Sequence, residues 1–437
     1  MNHYNNNILD VIGIGIGPFN LGFAALSHEL PLKTLFFEQA PSFNWHPGLL
    51  IERSTLQVPF LADLVSSVDP TNPFSFTNYL KKKKMLFRFC IKETFYVTRK
   101  EYNDYCRWVA DQLPELRFSH VVTGIEYHPE GYYEISVHDL INRSTKTYLS
   151  KRLVVGTGTT ALMPQCAEEC SRERVFHSSQ YLYRKSYLKP GSSISIIGSG
   201  QSAAEMFQDL LQEMDDKQFQ LNWITAAERF FPMENSKLTF EHTSPDYLSY
   251  FHGLPEQKRA QIISRQEILY KGINQELIDE IYNELYHKDL YKKEPLPIRI
   301  LPNVLLQSLT GNKYTGFELG LQHTQLEKDF KIQSDYVILA TGYRHQEPAF
   351  LKFVNDRINR DESGGFKVAA NFSVDKNEGE IYVLNAELSS HGILTSDLGM
   401  GPYRNARILN HILGPEKEAF ELEDRIAFQD FGIPMGL

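Results

Sequence analysis

Two glycine turns constrain this chain more than any other feature. The first, Gly15-Ile16-Gly17-Pro18-Phe19-Asn20, ends the apolar run Asp10-Val11-Ile12-Gly13-Ile14. The second, Gly198-Ser199-Gly200-Gln201-Ser202-Ala203, ends Ile194-Ser195-Ile196-Ile197. Each leads into an Ala/Leu-rich helical stretch. A turn without side chains lets the backbone approach a pyrophosphate, and the helix start behind it offers unpaired N–H groups and a positive dipole end. One such turn is weak evidence. Two predict two dinucleotide sites, most economically a flavin and the nicotinamide that reduces it. The expected fold class is α/β, with two Rossmann-like units, one nested in the other.

The 437 residues suffice for two or three domains. An apolar fraction of 42% with 12% aromatics marks a well-packed globule. Net charge is −9 without a long basic stripe, which argues against a nucleic-acid partner. The one basic run, Lys81-Lys82-Lys83-Lys84, reads first as the cap of a helix C-terminus and second as an anionic-surface or membrane contact. Cys90, Cys106, Cys166 and Cys170 complete no zinc pattern and read as reduced thiols in a cytoplasmic protein, with no metal site. Met1 to Asn7 is polar and lacks a basic leader. Leu9 to Leu26 is apolar enough to pass for a membrane span, but its glycines, Pro18 and Asn20 fit a nucleotide turn, and no membrane insertion is expected.

Strand 8–14 and a helix through Leu30 lead to a second strand, Lys33-Thr34-Leu35-Phe36-Phe37, ending at Glu38. That acid stands where a carboxylate accepts the ribose hydroxyls of an adenosine. Residues 42–73 are irregular and dense in Trp, His, Pro and Gly, and loops this long are often functional. Arg99 to Leu113 has helical spacing, and 117–150 reads as short strands and hairpins. Strand 193–197, helix 201–214 and strand 220–225 complete a second β-α-β. Residues 254–292 are helical, with Leu277, Ile278, Ile281, Tyr282 and Leu285 at helical spacing. Residues 331–342 form an apolar strand ending in a glycine turn, and the chain then returns to the first unit.

That strand, Asp335-Tyr336-Val337-Ile338-Leu339-Ala340-Thr341-Gly342-Tyr343, with Pro348 beyond it, is a third specific signal. With it the chain resembles the microbial N-hydroxylating flavin monooxygenases of siderophore biosynthesis, which oxidise the terminal amine of lysine, ornithine or a diamine. Matching residues include Gly15, Gly17, Pro18 and Asn20, then Trp45-His46-Pro47-Gly48, Gln57 and Asp63-Leu64-Val65. Asn72-Pro73-Phe74-Ser75-Phe76, Arg99 with Glu101-Tyr102, and Phe176-His177-Ser178-Ser179 also match. Gly198 to Glu205, His391-Gly392 and Arg404-Asn405-Ala406-Arg407 complete the set. Asn20 in place of a third glycine, Trp-His-Pro-Gly and Ala-Thr-Gly-Tyr are together more specific than either turn.

The resemblance implies an enzyme using FAD and NADPH. NADPH reduces FAD, and reduced FAD captures O₂ as a C4a-hydroperoxide. Retained NADP⁺ shields that adduct, and a neutral amine takes its distal oxygen to give a hydroxylamine. It implies a FAD-binding domain over 1–166 and 320–437, and an NADPH-binding domain over 167–232 and 297–319. A helical substrate-binding region would cover 233–296. By matched position, Gly13, Gly15, Gly17, Pro18 and Asn20 form the FAD turn, and Glu38 holds its ribose. Trp45, His46 and Gln57 surround the isoalloxazine. Gly198, Gly200, Gln201 and Ser202 hold the NADPH pyrophosphate side, and Ala340, Thr341 and Gly342 complete the cofactor set. Gln57 and Gln201 are the catalytic candidates. Arg229, adjoined by Glu228, is the nearest candidate for the 2′-phosphate, with Lys237 behind it. Family members are often dimers or tetramers, which implies a homodimer or homotetramer.

The most useful departure concerns the substrate. Amino-acid hydroxylases of the family carry a lysine for the α-carboxylate immediately before the Asp-Leu matching Asp63-Leu64. Here that position is Ala62. Two asparagines that help hold the amino-acid end align with Phe240 and Leu269. A carboxylate in such a pocket would be desolvated and unpaired, which is costly. The expected substrate is therefore a decarboxylated amine: putrescine, cadaverine or an aryl-alkyl amine such as histamine. Asp397 is the first candidate acceptor for the far ammonium of a diamine, and Glu241 the second. Lysine or ornithine remains the alternative. From other classes, a Baeyer–Villiger or sulfur oxygenase is disfavoured by Trp-His-Pro-Gly and Asn20. A disulfide reductase is disfavoured by the missing Cys-x-x-x-x-Cys, and a non-catalytic redox sensor by the complete second turn.

Overall fold

The structure, a computed structural model, describes residues 8–433 apart from Ser171, Asn235 and Asp424. The polar segment Met1 to Asn7 lies outside the described residues. Strand Val11–Ile14 is central in a five-stranded parallel sheet. Its order is Ile381–Val383, Leu153–Val155, Val11–Ile14, Thr34–Phe37, Leu116–Arg117. Every residue of Val11–Ile14 is buried, because both faces of a parallel sheet are covered. Helix Pro18–Ser27 leaves the carboxyl end of that strand with no side-chain cap at Gly17. Its first amides are therefore free for a ligand. The stretch that could pass for a membrane span is thus strand, turn and helix, and no helix among the described residues is long and apolar enough to cross a membrane.

A second five-stranded parallel sheet repeats the design. Its order is Val175–His177, Tyr336–Leu339, Ser193–Ile197, Gln220–Ile224, Ile298–Leu301. Helix Gln201–Lys217 follows its central strand and starts at Gly200, again without a side-chain cap. The two units are joined where Thr159–Ala161 pairs antiparallel with Tyr343–His345.

The strand pairing bears on the boundary expected at 320 and on the strand expected over 331–342. Position 320 falls inside strand Gly316–His323, the middle of an antiparallel ladder with Val304–Asn312 and Lys328–Ser334. The following strand Tyr336–Leu339 also pairs within the second sheet. The second unit therefore runs on to the crossover at Tyr343–His345. The single strand expected over 331–342 divides at Asp335, whose carboxylate accepts hydrogen bonds from the amide and hydroxyl of Ser193. The helical insertion packs on both units. Tyr247 and Phe251 are buried in the first unit's core. Leu277 and Ile281, from helix Gln275–Asp289, are buried with Leu210 and Met214 of the second. Tyr282, expected on that apolar face, is exposed. Helix Phe76–Lys82 carries Lys81 and Lys82 in its last turn, where cations complement the dipole.

Candidate active site

The first turn is built by mutual exclusion. Gly15 has φ +84°, and a Cβ there would sit 2.6 Å from the carbonyl of Gly156. A Cβ on Gly13 would penetrate the Phe36 ring at 2.1 Å. A Cβ on Gly17 meets nothing within 4 Å. So Gly13 and Gly15 let the chain pack, while Gly17 faces open space at the uncapped helix start. Asn20, 1% exposed, donates from Nδ2 to the carbonyls of Ile14, Gly15 and Val154 at 3.2, 2.7 and 3.3 Å. It ties helix, turn and neighbouring strand together. Glu38 accepts from the amides of Ile16 and Ala40, both at 2.8 Å. A carboxylate has further lone pairs to offer a ribose. These groups fit an adenine dinucleotide. In the second turn Gly198 has φ +136° and packs against Ala340, 2.3 Å from its carbonyl to a Cβ. Gly200 faces open space apart from the Lys271 carbonyl at 3.7 Å. Ala340 and Gly198 thus support each other, and Gly342 exposes an unobstructed backbone at φ +83°. Thr341 Oγ1 donates to the Leu162 carbonyl at 2.5 Å.

The motifs of the long loop converge with those of the second unit. His46 adopts a left-handed backbone, φ 47°, and its ring lies 5.0 Å from Trp45 and 5.5 Å from Tyr343. Tyr343 in turn lies 5.0 Å from His177, whose Nε2 meets the Gly342 carbonyl at 2.9 Å. Burial, aided by the Arg99 charge, pushes the His46 pKa down to about 4. At neutral pH His46 is therefore uncharged. Gly48 explains itself: a Cβ there would stand 1.9 Å from the Ser179 carbonyl. Gly48→Ala is expected to cost about 1–3 kcal/mol through overpacking, seen as a lower Tm with the far-UV spectrum kept.

A polar chain crosses between the units beside these rings. Arg99, at the start of helix Arg99–Ala110, pairs with Glu205 of helix Gln201–Lys217 at 3.1 Å. Gln201 Nε2 donates to Glu205 at 2.9 Å, and Gln57 Nε2 donates to Gln201 Oε1 at 3.4 Å. The amide of Asn274 also donates to Gln201 Oε1, at 2.8 Å. Burial raises the Glu205 pKa, and Arg99, Gln201 and Ser54 oppose the rise.

Against this wall opens a cavity of about 300 Å³. It brings together Trp45, His46, Gln57, Ser202, Phe240, Leu269 and Asp397, with Leu56, Val58 and Ile393 among its aliphatic neighbours and Arg99 and Glu234 as further charged ones. Asp397 accepts from the Met400 amide at 3.2 Å. Burial raises its pKa, against the Met400 and Gly399 amides and the charge of Arg404. Arg404 is itself committed to a buried pair with Glu387.

A family model described as L-lysine 6-monooxygenase/L-ornithine 5-monooxygenase matches residues 7–345. The chain belongs to this family. A putrescine N-hydroxylase of Shewanella oneidensis is 45% identical over 433 residues, 98% of this chain and 85% of the relative. An L-lysine N6-monooxygenase of Escherichia coli is 35% identical, over 95% of this chain and 96% of the relative. The crystal structure of an FAD-bound cadaverine monooxygenase of desferrioxamine biosynthesis from Erwinia amylovora superimposes with a TM-score of 0.94 at 42% identity. That match covers 99% of this chain and 100% of the other.

Within the lysine/ornithine monooxygenase family frame, several expected residues lie off the cavity. Ala62 is 6% exposed and is not among the residues lining the cavity. A Cβ on Gly399 would meet both Asp397 Oδ1 at 3.0 Å and Ala62 Cβ at 3.6 Å, so Ala62 and Asp397 flank one glycine. Glu241 does not line the cavity; its carboxylate accepts from the amides of Phe428 and Gln429 and fixes the C-terminal segment. Asp63 is spent on the loop, accepting from the amides of Val65, Ser66 and Phe76. Arg229 is exposed just past strand Gln220–Ile224. Lys237 instead begins the short helix whose Thr239 and Phe240 line the cavity. Sequence reasoning missed Glu234 and Tyr270, which also line it; neither sits in a motif, and only folding brings them there.

Proposed function

We propose that this protein hydroxylates one primary amine of an aliphatic diamine, putrescine or cadaverine, with FAD, NADPH and O₂, and supplies a hydroxylamine for hydroxamate siderophore synthesis. The observation that carries the diamine reading is Asp397 on a cavity with a part-aliphatic wall beside Trp45, His46 and Gln57, with alanine at position 62. The uncapped helix starts at Gly17 and Gly200 would hold the two pyrophosphates, and Glu38 the ribose of FAD. Bound flavin, reduced by the nicotinamide, supplies the activation of O₂. The chain's own residues do the rest. Asp397 holds the far ammonium. The aliphatic wall disfavours the charged form of the near amine, whose pKa is about 10.4 in water, and so favours the nucleophilic one. Neutral His46 packs without adding a cation near that amine. Gln57 and Gln201 join the two units and would orient polar groups at the reacting face. The names of relatives at 45% and 42% identity, a putrescine N-hydroxylase and a cadaverine monooxygenase, support the same reading. We place the enzyme in the cytoplasm, where NADPH is supplied and its four free cysteines stay reduced, as a homodimer or homotetramer.

A hydroxylamine-product assay over putrescine, cadaverine, histamine, lysine and ornithine tests the proposal. Lysine or ornithine exceeding every diamine overturns it, and histamine exceeding both diamines removes Asp397 from its role. The nicotinamide preference is tested at Arg229. Arg229→Ala is expected to weaken NADPH more than NADH, because only NADPH carries the 2′-phosphate; equal losses in titrations of flavin reduction remove Arg229 from that role.

A further inference from the structure

Residues 81–95 form a mostly exposed segment that the proposed reaction does not use. Helix Leu86–Lys92 turns Phe89 inward, 9% exposed, and packs it against Phe60 and Phe76. Its outer face carries Phe87 and Ile91, one helical turn apart and 80% and 78% exposed. Phe95 and Leu61 extend the apolar tip, at 63% and 57% exposure. Phe60 and Phe95 are joined by a backbone hydrogen bond, which holds Leu61 beside the tip. Lys81, Lys82, Lys83, Lys84, Arg88 and Lys92 accompany this tip, against a single acid, Glu93, in the same stretch. The ion pairs among the described residues leave all six cations out. The whole chain carries −9, so this cationic stretch runs against the rest of the molecule.

We propose that this segment seats the protein on an anionic lipid surface. Two signals coincide in it, exposed apolar side chains and cations outside any ion pair, and stable surface binding needs two such signals together. The exposure of the apolar side chains suits insertion between headgroups. A two-fold contact with a second copy through the same patch would set the lysine runs of both copies against each other, which disfavours a dimer here. The protein would lie on the bilayer, not span it.

The test is co-sedimentation of the full-length holoprotein with vesicles. Phosphatidylcholine vesicles containing about one-third phosphatidylglycerol are compared with pure phosphatidylcholine, at salt low enough for a Debye length of about 10 Å or more. Wild-type protein is expected to pellet with the anionic vesicles only, and to be released by high salt. The quadruple variant K81Q/K82Q/K83Q/K84Q and the double variant F87S/I91S are each expected to bind at least about tenfold more weakly. Their flavin content and amine turnover should be unchanged, which also establishes that they fold. No pelleting of wild type at low salt, equal pelleting with neutral vesicles, or full binding by either variant overturns the proposal. So does a lower oligomeric mass for F87S/I91S in sedimentation equilibrium, which assigns the patch to contacts between copies.

Discussion

Asp397→Ala is expected to raise the KM for putrescine about 30- to 4,000-fold: the carboxylate is partly exposed to the cavity, bound substrate covers it, and a charge pair so enclosed loses roughly 2–5 kcal/mol when one partner is removed. The cause is local. The carboxylate lines the cavity among aliphatic side chains such as Val58, Ile393 and Leu398, and Glu234 is the other carboxylate of the lining. Flavin content, and reduction by NADPH without amine, should be unchanged; a loss of either would place Asp397 in cofactor binding. n-Butylamine, which lacks the far ammonium, should show the same KM with both proteins. The acid limb of the pH profile follows from the same group. Burial raises the Asp397 pKa, so its charged form is lost as pH falls through a value above the usual carboxylate range. The diamine KM should climb there, and Asp397→Asn should flatten that limb. Ala62→Lys acts on the same pair. Ala62 and Asp397 flank Gly399, so a lysine at position 62 would pair with the acid and repel the substrate's far ammonium. Putrescine turnover should fall, while lysine gains a cation for its α-carboxylate. Wild-type preference for lysine over any diamine would falsify the whole assignment.

What could be read before folding was whatever local chemistry dictates. A Gly-x-Gly turn between an apolar run and a helix has one main structural use, so both sheets and both helix starts were legible from Val11–Ile14 and Ser193–Ile197. Trp45-His46-Pro47-Gly48 was legible as a motif but not as a geometry. Its glycine is required by Ser179, a residue of the other unit that no local pattern connects to it. Where the helical insertion packs was not legible for a related reason. Helical spacing shows that a segment has an apolar face, not which core receives it, and here Phe251 and Leu277 go to different cores. The ladder around position 320 was not legible because an antiparallel ladder and a parallel strand follow each other with only Asp335 between them. Glu241 looked like a substrate acid because acids near an aligned cavity position all look alike in sequence. Its partners, Phe428 and Gln429, lie near the far end of the chain.

The two glycines of the first turn are expected to fail differently when each is replaced by valine, and the difference locates the flavin pyrophosphate. Gly15→Val forces a β-branched residue to φ +84° and drives its Cβ into the Gly156 carbonyl. That strain is present without any ligand, at about 1–3 kcal/mol for the backbone alone, so the apoprotein should melt lower and the purified protein should be colourless. Gly17 has φ −84° and ψ −179°, which valine adopts readily, and its Cβ would meet no protein atom within 4 Å. Gly17→Val should therefore leave the apoprotein's Tm within about a degree of wild type, as surface changes usually do, yet also yield colourless protein. Only a ligand occupying the open space at that helix start can make a sterically free valine costly. The same logic applies at Gly200, where the nearest atom to a Cβ is the Lys271 carbonyl at 3.7 Å. Gly200→Val should keep FAD and dithionite reduction while losing reduction by NADPH. Full flavin content in Gly17→Val would remove the pyrophosphate from the first turn, and normal NADPH reduction in Gly200→Val would remove the nicotinamide from the second.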